Sequence, residues 1–93
     1  MRTVVEAKAE LGLGDALYIR GKGGSLSWER GEQLTWVGRH TWVWSSNQPE
    51  GNIVFQLALN DQVWARGREV VLEAGKRMQV EPDFEWPEIP RTT

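Results

Sequence analysis

Hydrophobic and polar positions alternate with a period of two along much of this chain. The clearest run is Ile53-Val54-Phe55-Gln56-Leu57-Ala58-Leu59, in which Ile53, Phe55, Leu57 and Leu59 share one face. A period of two marks a strand with one buried face. The same alternation places Leu17 with Ile19 in a strand over 16–22, Leu34 with Trp36 over 33–37, and Trp42 with Trp44 over 41–45. Weaker runs predict strands over 3–9, 69–73 and 77–81, the last carrying Met78 and Val80. Breaker-rich segments separate them, among them Gly12-Leu13-Gly14-Asp15 and Ser46-Asn47-Gln48-Pro49-Glu50-Gly51-Asn52. No stretch carries a helical period. Short strands at even spacing predict an all-β fold, an antiparallel Greek-key β-sandwich. Its core should hold Phe55, Leu57 and Leu59 against Leu17 and Ile19.

A chain of 93 residues has room for one core. The expected division is a β-sandwich over 1–82 and an extended, proline-bearing tail over 83–93. In that tail Phe84, Trp86 and Ile89 alternate with acids, so one face is expected to pack on the sandwich or on a partner. The net charge of −2 argues against a general binder of nucleic acid or membrane surface. With no cysteine there is neither a disulfide nor a thiolate site. No apolar leader or bilayer-length run is visible, and the expected location is the cytoplasm. The unusual number is six tryptophans, more than one small core requires.

Little in the chain suggests catalysis. His40 is the only histidine and sits at a turn, the usual place for a surface residue. The acids are scattered through turns and the tail, so no facing carboxylate pair is expected. One histidine without cysteine offers no metal-ligand spacing, and no cofactor is implied. The loop Gly21-Lys22-Gly23-Gly24-Ser25-Leu26 fails the dinucleotide pattern at Leu26 and opens no helix with a Gly-Lys-Ser run. It reads as a flexible turn. Arg66, Arg68, Lys76 and Arg77 interleave with Glu69 and Glu73, the pattern of a solvated mixed-charge face.

The tryptophans therefore carry the functional question. Trp36, Trp42 and Trp44 lie within predicted strands and are expected in or against the core. Trp28 follows the glycine-rich loop, and Trp64 follows the polar turn Asn60-Asp61-Gln62. Two readings are open for this second pair. The indoles either plug the ends of the sandwich or stand exposed as flat platforms for the apolar face of a sugar ring.

The order of these features resembles the starch-binding domains of carbohydrate-binding module family 20, from about residue 16 to about residue 80. Leu17-Tyr18-Ile19-Arg20-Gly21 is similar to the family's strand ending in glycine. Leu26-Ser27-Trp28 is similar to its Leu-Gly-x-Trp loop, and Trp42 to its structural tryptophan. Phe55-Gln56-Leu57 is similar to its Tyr-Lys-Phe strand, and Trp64 to its second stacking tryptophan. The resemblance implies an immunoglobulin-like sandwich that binds α-1,4-glucans such as starch or glycogen without catalysis. It implies stacking by Trp28 and Trp64, with Gln56 and Glu69 at the polar positions; Lys22 and Asp61 are further candidates for the rim. The loop before Trp28 is one residue shorter than the family's. Gln56 stands where the family has a sugar-binding lysine, and Glu69 where it has an asparagine. Gln56 keeps an amide able to donate, whereas an ionised Glu69 only accepts. The alternative function is a protein-interaction or regulatory module on the same fold, using the aromatic tail around Phe84 and Trp86.

Overall fold

The computed structural model describes residues 2–12, 14–47 and 51–84. These residues form nine strands and no helix: β1 (Thr3–Lys8), β2 (Leu17–Lys22), β3 (Glu32–Gln33), β4 (Thr35–Gly38), β5 (Thr41–Ser46), β6 (Asn52–Leu59), β7 (Val63–Trp64), β8 (Val70–Glu73) and β9 (Arg77–Val80). Valine, threonine and aromatic side chains, which suit a pleated surface, dominate β4, β5 and β7. One sheet has the order β4-β5-β1-β9. The other has the order β3-β2-β6-β7, with β8 also paired to β6.

The inner faces of the two sheets share one core. Val5, Ala7, Trp42 and Trp44 come from the first sheet; Leu17, Ile19, Ile53, Phe55, Leu57, Leu59 and Leu72 come from the second. The alternation along β6 and β2 thus predicts the buried face correctly. Two buried side chains have their polar atoms paired. Thr3 Oγ1 accepts from the Gly75 amide at 2.8 Å, and Trp44 Nε1 donates to Glu32 Oε1 at 3.0 Å.

Three features depart from the sequence expectation. The pairing is not wholly antiparallel, because β9 lies parallel to β1. The turn at Ala74-Gly75-Lys76 carries the chain from the second sheet into the first, where β9 joins the free edge of β1. A parallel pair needs a long connection, and β1 and β9 lie near opposite ends of the described chain. The strand expected over 33–37 is also divided. β3 belongs to the second sheet and β4 to the first, and Leu34 is buried at the crossing with its amide bonded to the Leu17 carbonyl at 2.8 Å.

Trp36 is the third departure. It is 61% exposed rather than part of the core. Its register partner is the buried Trp42, so the two residues share a face. However, β4 is an edge strand, and Trp36 borders an open hollow of about 350 Å³ beside Ala9, Leu11 and Asp15. Alternation assigns a face, but it cannot say how far the opposing sheet extends.

At the other end of the chain, the Asp83 carbonyl accepts from the Arg66 amide at 2.7 Å, and Phe84 bridges to Ala65. The Phe84 side chain is buried in the common core, two residues beyond the sandwich boundary expected at 82. Trp86 and Ile89, the other apolar positions expected in the tail, lie outside the described residues.

Candidate functional site

The outer face of the second sheet carries the site. Arg20 on β2 pairs in register with Gln56 on β6, and both point away from the core side defined by Ile19, Phe55 and Leu57. Two loops rise beside this pair. The first follows β2 and ends at Trp28 and Gly31; the second joins β6 to β7.

Glycine shapes the first loop. A side chain at Gly21 would collide with the Val54 carbonyl oxygen on the neighbouring strand. Gly23 and Gly24 take φ values of 103° and 59°, the left-handed region, and the Leu26 amide closes a turn onto the Gly23 carbonyl at 3.1 Å. The second loop is a tight turn with Asn60 at φ 53° and Asp61 at φ 58°. The Gln62 amide bonds back to the Leu59 carbonyl at 2.9 Å. Asn and Asp tolerate this conformation best among non-glycine residues. Asn60 is further anchored: its amide donates to the Ala16 carbonyl and its side-chain oxygen accepts from the Ala16 amide, at 2.8 and 2.9 Å.

Arg20 ties the loops together. Its Nε donates to Asp61 Oδ1 at 2.7 Å, one Nη to the Asp61 carbonyl at 3.2 Å, and the other Nη to the Trp28 carbonyl at 3.0 Å. The guanidinium carbon lies 5.3 Å from the centroid of the Trp64 ring, within cation–π range. Asp61 Oδ2 accepts from the Gly31 amide at 3.3 Å, an approach that a side chain at Gly31 would block. The hydrogen bond from Arg20 holds the Asp61 carboxyl below its ordinary range, overcoming the opposing effect of desolvation.

The two indoles meet on this frame. Trp28 and Trp64 stand with ring centroids 6.2 Å apart and planes inclined at 51°. They are 37% and 45% exposed. They form one side of an open notch of about 350 Å³ completed by Gln56, Ala65, Gly67 and Glu69. Gln56 Nε2 donates to the carbonyls of Ala65 and Gly67 at 2.6 and 3.2 Å. Both partners are carbonyl oxygens, so the amide nitrogen has to face them and the oxygen is left for other partners. The two Gln56 N–H groups hold the 65–67 segment, so the donor capacity that the sequence left open for a sugar is used within the protein. Glu69 is exposed and makes no hydrogen bond or ion pair among the described residues.

Of the six residues singled out in the sequence, Trp28, Trp64, Gln56 and Glu69 line the notch. Asp61 lies behind it in the Arg20 network. Lys22 pairs with Val54 near the end of β2 and does not line the notch. Sequence reasoning missed Arg20 as a site residue. Its partners Trp28 and Asp61 lie 8 and 41 positions away, so no local motif marks it. Among the described residues no group of three or more His, Cys, Asp or Glu side chains could hold a metal ion. No protein-family model matches the chain, and no curated protein sequence matches it.

Proposed function

We propose that the protein is a non-catalytic binding module for α-1,4-glucans, taking one sugar segment on Trp28 and Trp64. The observation that carries this reading is the convergence of the two indoles. One comes from the loop after β2 and the other from the short strand β7, yet they stand 6.2 Å apart, open to solvent and beside the polar groups of Gln56 and Glu69. Two half-exposed indoles of this kind differ from core plugs such as Trp42 and Trp44, which are buried. A pyranose presents apolar C–H faces to the rings, while its hydroxyls meet the polar rim. An open surface notch gives weak binding, in the millimolar-to-micromolar range that corresponds to about −4 to −8 kcal/mol.

Titration with a linear or cyclic malto-oligosaccharide, followed by tryptophan fluorescence and amide shifts, tests this reading. The expected response is confined to Trp28, Trp64 and their neighbours and is abolished by Trp28→Ala or Trp64→Ala. A folded protein that does not respond at millimolar sugar overturns it.

A second reading is a protein-interaction module, and one observation favours it. The edge strand β4 exposes Trp36 and Val37, an apolar pair beside unpaired backbone groups. Phe84 does not serve this reading, because its side chain is committed to the core.

A further inference from the structure

The polarity of the notch restricts its ligands further. Gln56 Nε2 is used by the carbonyls of Ala65 and Gly67, so that side chain offers a ligand only its oxygen. Glu69 is the one ionisable side chain that lines the notch, and it has no partner among the described residues. Apart from the indole N–H groups, the lining side chains present acceptors alone.

The nearby cations lie outside the notch lining. Arg20 is neutralised by Asp61 at 2.7 Å and sits behind the Trp64 ring system. Arg66 and Arg68 line the adjacent cleft together with Glu81 and Asp83, and Arg66 lies 4.0 Å from Asp83. Thus the charge among the side chains that line the notch is that of Glu69. Two indole faces, which attract cations through their ring quadrupoles, add to it.

We infer that the notch selects sugars by the charge of their substituents, favouring amino sugars over neutral ones and rejecting sugars that bear carboxylate or phosphate. An ammonium group on the ring edge donates to Glu69 and Gln56 Oε1 while the apolar face stacks on indole. An anionic substituent at the same place meets acceptors and a like charge. This inference rests on the sugar-binding reading of the notch and names the substituent chemistry it accepts. It also reverses the polarity that a lysine at position 56 would impose.

The test compares three ligands of one shape. They are maltotriose, maltotriose with its primary hydroxyls replaced by amines, and maltotriose with them oxidised to carboxylates. Dissociation constants are read from the indole N–H shifts of Trp28 and Trp64. An exposed charge contact is modest, so the amine is expected to bind roughly two- to fivefold more tightly than maltotriose, and the carboxylate more weakly by a similar factor. Glu69→Gln should collapse this order. Glu10→Gln removes the same charge from an exposed position outside the notch and should leave it intact. A carboxylate that binds as tightly as the neutral sugar, or an order that survives Glu69→Gln, overturns the inference while leaving sugar binding in place. If none of the three ligands moves the two indole signals, sugar binding itself fails and the charge preference falls with it.

Discussion

The Arg20 guanidinium lies 5.3 Å from the centre of the Trp64 ring and donates, from one Nη, to the main-chain carbonyl of Trp28 at 3.0 Å. One side chain on the sheet thus touches both halves of the aromatic notch. Replacing Arg20 by Met keeps the aliphatic stem and removes the donors. The indoles of Trp28 and Trp64 are expected to separate while the sheets remain. Loss of cross-peaks between the two indoles in nuclear Overhauser spectra, with strand signals unchanged, is the expected result. Arg20→Lys keeps the charge but not the fork that reaches Asp61 and Trp28 together, so it should not restore the contact. Cross-peaks that persist in the Met variant would show that the loops hold themselves.

Acid should loosen the same network. The Asp61 carboxyl is held below its ordinary value of 3.8, chiefly by the bond from Arg20. A folded-state value below the unfolded one stabilises the fold fully above the unfolded value. That contribution is lost as pH falls below 3.8 through the lower folded value. Asp61→Asn is therefore expected to flatten the acid limb of a plot of urea midpoint against pH and to leave its slope near neutrality unchanged. An acid limb identical in the two proteins would show that Asp61 has no part in it.

Burial separates two aromatic positions that alternation treats alike. Phe55 is 1% exposed, and Phe55→Ala is expected to cost about 3–5 kcal/mol. Trp36 is 61% exposed on the edge strand, and Trp36→Ala is expected to cost less than about 1 kcal/mol. Denaturant unfolding of the two variants checks both values, and a large loss at Trp36 would mean that the hollow beside it is closed in solution.

The β4–β5 hairpin carries avoidable strain. Gly38 pairs with Thr41, and the two residues between them, Arg39 and His40, have φ values of 45° and 62°. A two-residue hairpin turn with both central residues in this region favours Asn-Gly. Replacing Arg39-His40 by Asn-Gly is expected to stabilise the protein by about 1–2 kcal/mol. The melting temperature should rise accordingly, and a fall would show that the Arg39 or His40 side chain contributes more than the strain it imposes.

Alternation and turn chemistry alone determined the all-β class, the buried face of β2 and β6, and the placement of Trp28 and Trp64 outside the strong strands. These are local properties: a period of two selects a face, and glycine, asparagine and aspartate select turns. Only the tertiary structure decided the rest. It decided that β4 hangs at an edge and leaves Trp36 uncovered, that Leu34 marks a crossing between sheets, and that β9 runs parallel beside β1. It also decided the chemistry of the notch. The Gln56 amide is consumed by carbonyls 9 and 11 residues further along, and Arg20 reaches an acid 41 positions away. Such contacts are set by the packing of loops against one another, and the spacing of residues along the chain carries no record of them.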